Sequence, residues 1–121
     1  MIFTSYFAKL KNIPSNIVPI SICGKAPDWY KGLQYKKLAP KYSFFSVWKE
    51  THDNEYYITN FKKEVLEKLD IKNVIAELTK LSDGKDIVLI CYEKPTDFCH
   101  RFLVSDWLNK NGIKCEELFT K

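Results

Sequence analysis

The sequence predicts an α/β domain with a mostly parallel sheet covered on both faces, and three observations carry that expectation. Two short β-prone runs, "MIFTSYF" and "NIVPISICG", open the chain. Two helical patterns then precede "DIVLICYE", a continuous apolar run of the kind a central, doubly covered strand needs. A further helical pattern separates that run from "IKCEELF". Strands joined through helices are joined by crossovers, and crossovers favour parallel pairing. The length of 121 residues fits one α/β domain over 1–121 with one core.

Each element has its own signal. The second strand follows the turn residues Pro14, Ser15 and Asn16. Pro19 within it points to a sheet edge, a strand start or a bulge, because proline has no N–H for a ladder. The segment 25–48 holds Pro27, Gly32 and Pro40 without a clear period and reads as a long loop with at most short elements. From Asn54, the residues Ile58, Phe61, Val65 and Leu69 fall on one helical face. Glu55 near the start and Lys68 near the end complement the helix dipole. Val74, Ile75, Leu78 and Leu81 mark a second helix, which Gly84 stops. After the central strand, Thr96 or Asp97 is positioned to cap a helix, with Pro95 just before it. That helix starts near Asp97 or Phe98, runs to about Asn109 and ends at Asn111–Gly112.

Composition narrows the function classes. No apolar run approaches transmembrane length, so no membrane partner is expected. The start lacks a basic region followed by a long apolar core, so a signal peptide is not expected either. Cys23, Cys91, Cys99 and Cys115 show no tight repeated spacing and read as reduced thiols of a cytoplasmic protein. The net charge of +4 mildly favours anionic partners. Residues 29–42 interleave Lys31, Lys36, Lys37 and Lys41 with Trp29, Tyr30, Tyr35 and Tyr42. Lysines reach phosphates and aromatic rings stack on bases, although a solvated loop has the same look.

The chemistry concentrates in "CYEKPTDFCHRFLVSDWL", from Cys91 to Leu108. In open α/β sheets ligands bind beyond the carboxyl ends of strands. Cys99, His100 and Arg101 are expected in the first turn of the following helix, where free N–H groups and the dipole favour an anion and lower a thiol pKa. Successive helical residues differ by about 100° around the axis, so these three cannot all converge on one pocket. Cys99 shares a face with Leu103 and Trp107, and His100 with Val104 and Leu108, so each has a packing role as its alternative. Arg101 is the candidate anion clamp, the alternative being an ion pair with Asp97 or Glu93. Glu93 is a candidate base or ligand contact, the alternative being a helix cap through backbone bonds, and Cys91 is a candidate nucleophile or a buried packing residue.

Other chemistries fit less well. A phosphatase-type loop needs glycine and a shorter Cys-to-Arg spacing than that from Cys91 to Arg101. Zinc would require Cys91, Cys99, His100 and Cys115 to converge, in a spacing that matches no common pattern, so no metal is expected. No phosphate-cradling glycine motif is present, and no cofactor is expected. Gly24 places Ser21, Cys23 and Lys25 near the same sheet edge if the second strand neighbours the central one.

These residues resemble the signature of the domain-of-unknown-function-488 family: a strand ending in Cys-x-Glu, a proline-containing loop, then Cys-His-Arg opening a helix. "TSYFAKL" and "ISICGKAPDWYKGLQYKKLAPK" look like the branch with Trp-Tyr-x-Gly and Leu-Ala-Pro segments. The resemblance implies a small Rossmann-like three-layer domain, with Cys91, Glu93, Cys99, His100 and Arg101 at the family's signature positions. Many relatives carry an Asp-Val-Arg type sequence in the second strand; here Lys25 lies near the place of that arginine.

The expectation is therefore an enzyme-like cytoplasmic domain that binds a phosphorylated small molecule, a nucleotide or nucleic acid at 91–101. Cys91, Glu93, Cys99 and His100 are its candidate catalytic residues. Arg101, Lys25, Ser21, Trp29 and Tyr30 are its candidate ligand contacts. The alternative is a non-catalytic nucleic-acid or protein binding module using the 29–42 loop.

Overall fold

A computed structural model of the chain describes residues 1–94 and 96–119. Its five strands are β1 (Ile2–Tyr6), β2 (Ile17–Ser21), β3 (Leu33–Gln34), β4 (Asp86–Cys91) and β5 (Cys115–Glu117). Its four α-helices are α1 (Tyr42–Thr51), α2 (Asn54–Glu64), α3 (Ile71–Ser82) and α4 (His100–Lys110). The strands form one sheet in the order β3-β2-β4-β1-β5. Every pairing is parallel. This is the parallel α/β arrangement the strand and helix patterns predict, and the Rossmann-like class the resemblance implies.

The central position of β4 follows from its composition. Val88, Leu89 and Ile90 are fully buried, and alternation sends them to opposite faces. Ile87 and Leu89 join Ile20, Ile22, Phe44, Phe61, Leu78 and Leu108 in the core under the four helices. Val88 and Ile90 pack on the other face with Phe7, Cys23 and Tyr30. That second face is covered mainly by the 3-10 segment Phe7–Asn12 and the loop that carries Tyr30, with Phe102 of α4 packed at its margin. Pro19 lies opposite Val88 of β4, whereas β3 pairs only with Ile20 and Ser21, so β2 is still a sheet edge at Pro19.

The helix ends also follow local chemistry. The Asp53 carboxylate accepts the Tyr56 amide at 3.1 Å and the Asp70 carboxylate accepts that of Lys72 at 3.2 Å, which caps α2 and α3. Gly84 and Gly112 adopt φ of 77° and 81°, as expected after the ends of α3 and α4. No helix among the described residues is long and apolar enough to cross a membrane.

Two expectations are corrected. The segment 25–48 is not one long loop: it contains β3, a 3-10 turn at Lys36–Leu38 and most of α1. Phe44, Phe45 and Trp48 supply the apolar face of α1, with Phe44 edge-on to Tyr57 and Phe61. The last helix starts at His100 rather than near Asp97. Neither Thr96 nor Asp97 caps it; Cys99 is the N-cap residue and makes no side-chain capping bond. The expected place of Pro95 lies outside the described residues.

Candidate functional site

A cavity of about 500 Å³ lies at the carboxyl ends of β2 and β4, within the size range of ligand pockets. The sheet order explains its place. The chain leaves β2 outward to β3, whereas it leaves β4 in the other direction, past β1 to β5. Connections that diverge from neighbouring parallel strands open a crevice between them. Lys25, Tyr42, Phe45, Cys91, Glu93 and His100 are among its walls. Tyr42 is 79% exposed at this rim, and the Tyr92 hydroxyl donates to the Lys25 carbonyl at 2.7 Å.

Cys99 has extended backbone angles, so its thiol turns back toward the strand instead of along the helix. Its sulfur is bonded to that of Cys91, eight residues earlier. This corrects the expectation of four reduced thiols: Cys23 and Cys115 are free and buried, and Cys91 and Cys99 are paired. Cys99 consequently does not share a face with Leu103 and Trp107.

His100 is buried beside the Phe61 ring, 5.6 Å away. Its Nε2 lies 2.8 Å from the Ile22 carbonyl oxygen. A carbonyl only accepts, so Nε2 carries the proton and Nδ1 keeps its lone pair, 3.9 Å from the Cys99 sulfur. Burial pushes the imidazole pKa down to about 4, with the Arg101 charge acting the same way against the bond to Ile22. His100 is neutral at neutral pH. Glu93 is shifted upward by burial, partly offset by a backbone hydrogen bond and the Arg101 charge.

Arg101 is fully buried and occupied by the protein. Its Nε and Nη2 donate to the two Glu117 carboxylate oxygens at 3.0 and 2.9 Å. Its Nη1 donates to the Cys91 sulfur at 3.1 Å and to the Glu93 carbonyl. The guanidinium stacks near the Phe102 ring, 4.4 Å from its centroid. Four of the five N–H donors of the side chain are thereby used. The ion-pair partner is Glu117, not Asp97 or Glu93, and Arg101 does not line the cavity. It ties the end of β4 to β5, where Thr4 also donates to Glu117 at 2.6 Å.

A family model described as the active DUF488-N3 subclade matches residues 6–112. The chain belongs to the DUF488-N3a family. No curated protein and no solved structure matches it.

In this DUF488-N3a chain the predicted site residues divide into three groups. Cys91, Glu93, His100 and Lys25 line the cavity, and Cys99 lies immediately behind it. Arg101 supports it from the core. Ser21, Trp29 and Tyr30 are elsewhere. Ser21 is fully buried and its hydroxyl accepts the Cys23 amide at 3.3 Å. Trp29 and Tyr30 line a separate groove beside Pro14, Pro19 and Leu33, and both pack edge-on against Phe7. The basic-aromatic stretch is largely committed to structure. Tyr35 is buried and donates to Glu77, and Lys37 pairs with the same carboxylate at 2.9 Å. Burial pushes the Tyr30 and Tyr35 phenols up.

Sequence reasoning named Tyr42 only as part of the separate 29–42 stretch, and it missed Phe45 and Glu117. The i, i+1, i+4 spacing of Phe44, Phe45 and Trp48 after Pro40 was the available signal for α1. Nothing local marks Glu117, which meets Arg101 only through the β1–β5 pairing. Three of the four residues considered for zinc also converge: one ligand atom each of Cys91, Cys99 and His100 lie within 4.8 Å of one another. Cys115 is not among them.

Proposed function

We propose that the crevice at the ends of β2 and β4 binds a nucleotide or related phosphorylated ligand, and that the chain is an enzyme-like domain acting on it. The cavity's make-up carries this reading. Tyr42, Phe45 and Tyr92 offer aromatic surface to a base, and Lys25 is the cation at its wall. Aromatic stacking contributes about 1–3 kcal/mol per base and tolerates any base. Glu93, which shares the cavity, is the group placed to move a proton. Arg101 takes a positioning role, holding Cys91 and the Glu93 backbone, in place of direct ligand contact.

The test is calorimetric titration of the reduced protein with nucleoside mono-, di- and triphosphates, inorganic phosphate and short oligonucleotides. Lys25→Ala is expected to weaken binding about ten- to hundredfold, the loss of one charge-assisted hydrogen bond of about 1.5–3 kcal/mol. Tyr42→Ala is expected to weaken nucleotides but not inorganic phosphate. The proposal is wrong if no phosphorylated ligand binds in the millimolar range. Oligonucleotide binding that ignores Lys25→Ala but falls in a Lys31→Ala/Lys36→Ala variant would move the function to the 29–42 surface.

A further inference from the structure

We infer that Cys91, Cys99 and His100, with the cysteines reduced, form a binding site for a thiophilic divalent cation such as zinc, with one coordination position open to the cavity. The inference stands whether or not the cavity takes a nucleotide.

Four observations support it. First, the three side chains bring one ligand atom each within 4.8 Å of one another, all buried. Two sulfurs and an imidazole are the donor set that zinc prefers, and a three-ligand site with an open position is its catalytic form. Second, His100 is oriented as a ligand. Its Nε2–H is given to the Ile22 carbonyl, which leaves the Nδ1 lone pair toward the Cys99 sulfur. Metal-binding histidines are commonly fixed in this way by a carbonyl or carboxylate. Third, Arg101 donates to the Cys91 sulfur at 3.1 Å and is itself held by Glu117. A guanidinium there stabilises a thiolate, the form that ligates. Fourth, the backbone holds the cysteine Cα atoms 7.4 Å apart. Disulfides usually span about 4.4–6.8 Å between Cα atoms, whereas two sulfurs on one tetrahedral zinc stand roughly 3.8 Å apart and suit a wider backbone gap.

Space and access agree. A small cavity of about 30 Å³ is bounded by Glu93, Cys99 and His100. Cys91 and His100 also face the larger cavity. The fourth ligand would come from that side, as Glu93, water or a bound substrate. Two thiol protons leave as two metal–sulfur bonds form, so binding needs no oxidant. The disulfide is the alternative state of the same pair: bonded sulfurs do not ligate, and a thiol or phosphine reductant converts one state to the other.

The experiment uses the full chain, reduced with a phosphine under anaerobic conditions and then freed of reductant. Zinc is titrated by competition with a chromophoric chelator, and cobalt is added as a spectroscopic reporter. One equivalent is expected to bind, with sulfur-to-cobalt charge-transfer absorption in the near ultraviolet. Cys99→Ala is expected to weaken zinc more than about a hundredfold, beyond the 10–100-fold typical of losing an outer-shell partner. Cys99 makes no capping bond to α4, so this variant keeps the helix start, and circular dichroism checks its fold. A Cys23→Ser/Cys115→Ser variant is expected to bind as the parent does. The inference is overturned if the folded, reduced parent binds no zinc. It is equally overturned if bound cobalt lacks the sulfur band, or if Cys99→Ala retains parental affinity.

Discussion

The pair between Arg101 and Glu117 gives the sharpest mutational expectation. Glu117→Gln removes the negative partner of a guanidinium that is completely buried, while Glu117 itself is only 10% exposed. Breaking one side of a buried pair costs about 3–5 kcal/mol, because the remaining charge is neither solvated nor compensated. Glutamine keeps one acceptor oxygen for Nε or Nη2, which places the loss near the lower end, about 3 kcal/mol. The unfolding entropy near 60 °C is about 2.1 cal/mol/K per residue, or roughly 0.25 kcal/mol/K for 121 residues. A loss of 3 kcal/mol therefore lowers the melting midpoint by roughly 12 °C. Against a total stability of about 5–15 kcal/mol this is a large fraction. The assay is urea and thermal unfolding under reducing conditions, with Arg101→Met/Glu117→Leu as the companion. Apolar replacement of the whole pair leaves no orphaned charge, so the double variant is expected to be more stable than Glu117→Gln. A Glu117→Gln protein within about 0.5 kcal/mol of the parent would refute the reasoning, since that is the range of ordinary surface changes.

Two further outcomes are expected. Burial, opposed by the Ser21 hydrogen bond, pushes the Cys23 thiol up to about 12, well above the ordinary cysteine range. Its thiolate fraction at pH 8 is then about a thousandfold below that of a free cysteine, so iodoacetamide labels it far more slowly in the native than in the urea-unfolded chain. Equal peptide labelling rates in the two states would contradict this. Phe61→Ala removes a fully buried ring packed on Phe44 and Tyr57, at a cost of about 3–5 kcal/mol read from the urea midpoint. A cost below about 1 kcal/mol would show that the core under α2 collapses around the loss.

Local patterns in the chain determined the parallel α/β class, the β4 run and the stops at Gly84 and Gly112. They are legible because one residue's neighbours in sequence are also its neighbours in a strand or helix. Asp53 and Asp70 cap α2 and α3 for the same reason: their partners are three and two residues away. The Cys91-to-Arg101 segment was legible as a strand-loop-helix candidate, but which of its side chains line the cavity was not. The helix start moved to His100, which turned Cys99 out of the first turn and onto Cys91. Glu117 met Arg101 because β5 pairs beside β1, sixteen residues along the chain from its partner. His100 was fixed by the carbonyl of Ile22, 78 residues away. A buried guanidinium or imidazole must find partners wherever the topology supplies them, and one-dimensional spacing does not reveal which strand ends become neighbours. The sequence thus determined the parallel α/β class and the strand-loop-helix segment in which candidate residues cluster, and only the tertiary structure decided that Arg101 is held by Glu117 in the core while Lys25, Glu93, Cys91 and His100 line the cavity.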